Sequence, residues 1–158
     1  MAVTTLDGET DFDGWRKAAR AFRLADVEPA AARFVVAGAV EQGGLFDQPI
    51  AEEASPTPDD RRVFNVPKAF VDLAQNLILH RSADRFDLMY RLLRRLKDEP
   101  DLIKVISDRD VADALERVKN VSRASHKMKA FVRFRQVHDD LGEAWVAWFE
   151  PPHRVLEK

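Results

Sequence analysis

The chain has 158 residues, 46% hydrophobic and 33% charged, which is typical of one soluble globular domain with its own core. Cysteine is absent, which excludes disulfides, thiolate zinc sites, iron–sulfur clusters and cysteine nucleophiles. The net charge of −2 excludes bulk positive charge as a reason for binding polyanions. With no apolar run of spanning length and no secretory pattern at the N-terminus, we expect a cytoplasmic protein without a membrane partner.

The first 38 residues predict a small β-α-β unit. Residues 3–6 are β-prone, and Thr10 offers a hydroxyl cap for a following helix. Residues 33–38 form a second apolar run that ends in glycine, as buried strands often do. Between the two runs, apolar side chains recur at helical spacing: Phe12, Trp15, Ala19, Phe22 and Ala25.

Residues 39–62 differ in composition from the rest of the chain. Glycine and proline interrupt a stretch rich in Glu, Asp and Gln. We expect a flexible linker or surface loop there, without a core of its own. It divides the small N-terminal unit, 1–38, from a second region, 63–158.

Three amphipathic helices are predicted in the second region. The first follows Asn65, the second begins at Ser82 or Asp84 and ends by Pro100, and the third begins near Asp110. The inner face of the third is predicted from its apolar and small residues: Val111, Ala114, Leu115, Val118, Ser122, Ser125 and Met128.

A β-hairpin is predicted over residues 131–150. The hydrophobic period changes from helical to alternating near Lys129, so that Phe131, Arg133 and Arg135 would share one strand face. Residues 139–142 form the turn. The fold class is therefore α+β, with an N-terminal β-α-β unit, three amphipathic helices and a C-terminal β-hairpin.

Basic residues concentrate at the end of the third helix and in the hairpin. Residues 115–138 contain seven Lys or Arg and one acid, Glu116. If they share a surface, they can bind phosphates, and Phe131 can stack on a base. The alternative is that acids of the N-terminal half neutralise them. The candidate nucleic-acid-binding residues are Lys119, Arg123, His126, Lys127, Lys129, Phe131, Arg133 and Arg135.

No motif for a metal, a cofactor or a nucleophile is present. The four histidines, at 80, 126, 138 and 153, lack the spacing that places two ligands on one helix face. Ser122 and His126 lie one helical turn apart, but no acid is placed to orient the histidine. We expect no metal and no cofactor. The aromatic residues 145, 148 and 149 are more typical of a core than of a ligand platform, although either Trp148 or Phe149 must leave the inner face of the hairpin. Whether the chain is an enzyme stays open, with His126 and Glu150 as candidate catalytic residues.

Three segments carry a resemblance to a known family: residues 86–96, residues 126–135, and residues 146–151 with His153. They resemble a bacterial family connected with DNA metabolism or DNA repair, whose domain has no established function. Members of that family occur beside a radical-SAM protein, or fused N-terminally to a UdgX-type uracil-DNA glycosylase domain.

The chain departs from the family pattern at three places. Ala124 and Pro152 stand where members carry acids, and the chain stops where members continue, so the family domain is expected to be C-terminally incomplete. The resemblance implies an accessory module of a DNA base-repair system that binds single-stranded or duplex DNA. The alternatives are an enzyme acting on nucleic acid, and a docking module for the glycosylase or the radical-SAM protein.

Overall fold

The computed structural model describes residues 1–38, 65–139 and 142–155, and the predicted linker 39–62 lies outside them. The α+β class, the β-α-β start and the C-terminal hairpin are confirmed. The helices and strands follow in chain order as β1 Ala2–Leu6, α1 Phe12–Leu24, β2 Ala32–Val36, α2 Lys68–Leu77, α3 Arg85–Arg95, α4 Arg109–Phe131, β3 Arg135–Asp139 and β4 Gly142–Val146.

The N-terminal unit is a β-α-β crossover in which α1 connects two parallel strands. β1 and β2 pair in register from Ala2 opposite Ala32 to Leu6 opposite Val36. The helix is capped by Asp11 rather than by the predicted Thr10, because the Asp11 carboxylate accepts the Gly14 N–H at 2.8 Å. The buried side of α1 holds Trp15, Ala19 and Phe22, as the spacing predicts.

One hydrophobic core joins the N-terminal unit to α2, α3 and α4. Partly buried Phe34 of β2 packs against this core, with its ring centroid 6.2 Å from that of Phe86 and 5.9 Å from that of Tyr90, both on α3. The Tyr90 hydroxyl, on a fully buried side chain, donates to the Val27 carbonyl at 2.7 Å. The same burial raises the pKa of Tyr90 to about 12.

The inner face of α4 differs in part from the predicted one. Val111, Ala114 and Ser125 are buried as expected, but Leu115 is 38% exposed and Ser122 is exposed. Val121 and Ala124 are buried instead. The regular 3–4 spacing from Val111 through Val118 and Val121 to Met128 sets the packed stripe, and the predicted residues 115 and 122 lie one position off it.

The predicted change from helix to strand near Lys129 is wrong, because α4 continues to Phe131. Lysine, methionine and alanine are all good helix formers, which explains the continuation through residues 127–130. The hairpin is correspondingly shorter than predicted, from Arg135 to Val146, and residues 148–150 lie beyond its second strand. Among the helices that the structure describes, none has both the length and the apolar character needed to span a membrane.

Candidate nucleic-acid interface

Four of the candidate residues form one exposed basic face on α4. Lys119, Arg123, His126 and Lys127 recur at 3–4 spacing and are all exposed, on the side of the helix away from buried Val121. At 1.5 Å per residue, Lys119 and Lys127 are about 12 Å apart along the axis. That length matches roughly three to four nucleotides of a strand at about 3.4 Å each.

The lysines and arginine of the basic face form no ion pair within the described residues, although Glu116 lies one helical turn before Lys119. Lys119, Arg123, Lys127 and Lys129 form no ion pair with any carboxylate there. Arg117, from the same sequence run, behaves differently, since its guanidinium binds Asp84 and Asp113, each at 2.7 Å. These two carboxylates raise the pKa of Arg117, and the hydrogen bond with Asp84 has the larger effect. Arg117 is therefore structural, although its neighbours along the chain remain available to phosphates.

The two arginines beyond α4 do not continue this face as a strand. Arg133 lies between the helix and the hairpin, where its guanidinium donates to the Ala130 carbonyl at 2.8 Å. It thereby satisfies a carbonyl at the helix C-terminus. Arg135 opens β3 opposite Val146. Phe131 is the last residue of α4, so the prediction that Phe131, Arg133 and Arg135 alternate along one strand is wrong.

Large aromatic side chains are exposed around the hairpin. Phe131 is 66% exposed, Phe134 65%, Trp145 64% and Trp148 89%. Trp145 and Trp148 are therefore exposed and not part of the core, contrary to the expectation for these aromatic residues. An exposed aromatic group beside a basic helix face is the combination used by surfaces that bind single strands. Sequence reasoning identified only Phe131 as a stacking residue.

The hairpin divides charge and aromatic character between its two faces. Directly opposed residues share a face, so Arg135 lies with Val146, whereas Trp145 lies with Gln136 on the other side. On the Trp145 side, Glu143 accepts from Gln136 and contacts His138, each at 3.0 Å. The Trp145 face therefore contains the Glu143 carboxylate, whereas Arg135 lies on the opposite face.

His126 and Glu150, the candidate catalytic residues, are not brought together. Both are exposed, and neither makes a hydrogen bond or an ion pair within the described parts of the chain. Ala124, two residues before His126, is buried against the core. Nothing in this geometry orients His126 as a base.

The structure brings together His80 and His153, which the sequence separates widely. Their ring centroids are 4.5 Å apart. The Nδ1 atom of His80 accepts the Ser82 N–H at 3.2 Å, and that of His153 accepts the Arg81 N–H at 3.3 Å. Burial is the main cause that lowers the pKa of both histidines. The neighbouring His153 and then Arg117 lower the pKa of His80 further, and Arg81 does the same for His153. Among the described residues no group of three or more His, Asp or Glu could hold a metal ion.

Beside this pair, a buried arginine ties three segments together. Arg85, 2% exposed, donates to the carbonyls of Ile78 and Ser82 at 2.9 and 2.8 Å. It also binds the Glu9 carboxylate at 2.9 Å, and Arg154 pairs with the same carboxylate. The segment that ends in buried Val155 is thereby fixed to the turn between α2 and α3. Sequence reasoning missed this cluster, since no spacing links residues 9, 85 and 154.

Comparison with known protein families gives a match over part of the chain. Residues 83–158 match the model of a domain of unknown function, DUF4130, which spans α3, α4 and the hairpin. Neither the curated proteins nor the solved structures give a match to the chain. The matched region contains the basic face, the exposed aromatic side chains and His153, whereas α1, α2 and His80 lie outside it.

Proposed function

We propose that the chain is a nucleic-acid-binding module that holds a DNA strand on the basic face of α4. The observation that carries this proposal is the set of exposed cations, Lys119, Arg123 and Lys127, without a carboxylate partner in the described residues. Three such charges aligned over about 12 Å attract successive phosphates of one strand. The chain's overall charge of −2 makes this attraction local to the face.

Single-stranded DNA is the preferred form in this proposal. Exposed Phe131, Phe134 and Trp148 can stack only on bases that are not already stacked in a duplex. Phe131 is the last residue of α4 and Phe134 follows three residues later, which supports a strand path from the basic face onto these rings. The resemblance of residues 126–135 to a DNA-repair family supports a role in base repair, as an accessory module rather than as the enzyme.

The test is the salt dependence of binding to a short single-stranded oligonucleotide. Replacing Lys119, Arg123 and Lys127 together by alanine should remove three phosphate contacts. At about 0.7 per contact, the slope of log K against log salt should become shallower by about 2. The matched control replaces three exposed lysines elsewhere, Lys68, Lys97 and Lys104, and should keep the wild-type slope. A wild-type affinity that does not change with salt, or equal slopes for the two variants, would reject the proposal.

A protein-docking role is the second candidate, and the apolar surface around the hairpin favours it. Trp148 at 89% and Trp145 at 64% exposure are large apolar groups of the kind found at the centre of protein interfaces. A UdgX-type glycosylase domain or a radical-SAM protein would be the partner that the family resemblance implies. Retention of such a partner on the wild type and on the α4 triple variant, but not on Trp145→Ala with Trp148→Ala, would favour docking over DNA binding.

A further inference from the structure

A groove separate from the basic face lies beside the N-terminal helix. It has a volume of about 340 Å³ and lies between α1, Val66 with the first turn of α2, and Leu93 of α3. This volume is at the lower end of the range of ligand pockets, about 300–1,000 Å³, so the groove suits one small molecule rather than a folded partner. It includes none of the candidate residues on α4 or the hairpin.

The lining of the groove combines aromatic rings with cations. Phe12, Trp15 and Phe70 supply the rings, and those of Phe12 and Trp15 stack with centroids 5.9 Å apart. Such rings favour a planar, aromatic ligand group through offset stacking or edge contacts. Along the rim, successive turns of α1 present Arg16, Lys17 and Arg20, all exposed. Arg16 also contacts Asp13 at 3.3 Å, a solvent-exposed pair of small energetic weight.

Trp15 adds an independent observation. The side chain is 2% exposed, and its indole N–H is shielded from solvent without an acceptor in the described part of the chain. A buried donor that lacks an acceptor costs roughly 1–3 kcal/mol, so native structures seldom leave one without a reason.

We propose that this groove binds a nucleotide, with the base among Phe12, Trp15 and Phe70 and the phosphate on the basic rim. Three cations along one rim match a multiply charged phosphate better than a single carboxylate. The same chemistry is offered by a free mononucleotide and by the terminal nucleotide of a 5′-phosphorylated strand. The proposal does not depend on DNA binding at α4, because the two surfaces share no residue.

Isothermal titration calorimetry with deoxyadenosine 5′-monophosphate tests the proposal. Deoxyadenosine and inorganic phosphate, each with one half of the ligand's chemistry, should bind at least tenfold more weakly. Arg16→Glu with Lys17→Glu should weaken nucleotide binding at least tenfold, and Trp15→Phe, which replaces the indole by a smaller ring without the N–H, should weaken it several-fold. Circular dichroism checks folding, and Arg16→Gln with Lys17→Gln replaces the charge reversal if that variant unfolds.

Further arms separate the two ligand sources and the two surfaces. A 5′-phosphorylated tetranucleotide that binds more tightly than the mononucleotide, and loses binding in the groove variant, identifies a strand terminus as the source. Equal affinities identify the free nucleotide. The variant Lys119→Ala with Lys127→Ala should leave mononucleotide affinity unchanged, even if DNA binding at α4 is lost or never existed. Absence of binding by both probes, or binding that the groove variants do not alter, overturns the proposal.

Discussion

Replacing Arg85 by alanine should destabilise the chain more than any other change of a charged residue in the described regions. The substitution removes the donor for the carbonyls of Ile78, Ser82 and Glu9 and leaves Arg154 as the ion-pair partner of the Glu9 carboxylate. Truncating one member of a buried pair costs about 3–5 kcal/mol. The Glu9 side chain is 46% exposed and can rehydrate, which places the expected loss near the lower limit, about 3 kcal/mol.

Urea and thermal unfolding followed by circular dichroism measure this loss. For a chain of this size about 2–4 °C in Tm corresponds to 1 kcal/mol, so Tm should fall by roughly 6–12 °C. The matched control is Arg91→Ala, which breaks a 3.0 Å pair with Asp110 from a side chain 42% exposed and should cost less than about 1 kcal/mol. If Arg85→Ala stays within about 1 kcal/mol of the wild type, the reasoning about this buried cluster is refuted.

Two further predictions concern the histidine pair and the exposed tryptophan. Folding lowers the pKa of His80 and His153 below the usual value of 6.5, so the unfolded chain binds more protons near that pH. The contribution of the two neutral histidines to the free energy of unfolding is therefore complete above about pH 6.5 and is lost as the pH falls. Calorimetric Tm values from pH 7.5 to 5 should therefore fall more steeply for the wild type than for His80→Gln with His153→Gln; parallel curves would contradict this. Trp148→Ala should leave Tm unchanged and weaken single-stranded DNA binding by about 1–3 kcal/mol. The control Ile106→Ala, at a site 73% exposed, should leave both Tm and DNA binding unchanged. Wild-type affinity in Trp148→Ala would remove that side chain from the binding surface.

The parts of the fold that the sequence predicts are those governed by local periodicity. Trp15, Ala19 and Phe22 mark the buried side of α1, and residues 86, 89 and 93 do the same for α3. The two apolar runs that flank α1 become parallel strands, because a helix of that length returns the chain to the same edge. Each of these inferences needs only neighbours within one element or one crossover.

The failures concern contacts that join distant parts of the chain. An alternating aromatic run such as residues 144–149 predicts a strand, but the pattern does not say whether another layer covers it, and here Trp145 and Trp148 remain exposed. Arg85 appears in the sequence as one more base on an amphipathic helix. Its burial depends on Glu9 and Arg154, whose proximity follows only from the complete packing.

The division of cations between structure and surface explains why the α4 face can attract a polyanion in a chain with a net negative charge. Several arginines form ion pairs with acids inside the molecule: Arg94 with Asp26 and Glu28, Arg95 with Asp108, and Arg117 with Asp84. These carboxylates are already compensated, and the pKa of Asp108 falls to about 2 through its hydrogen bonds with Arg95. None of the described carboxylates forms an ion pair with Lys119, Arg123 or Lys127. The far end of α4 therefore keeps its positive charge, and because about three phosphates would be held there, we expect log K to fall with log salt with a slope of about 2.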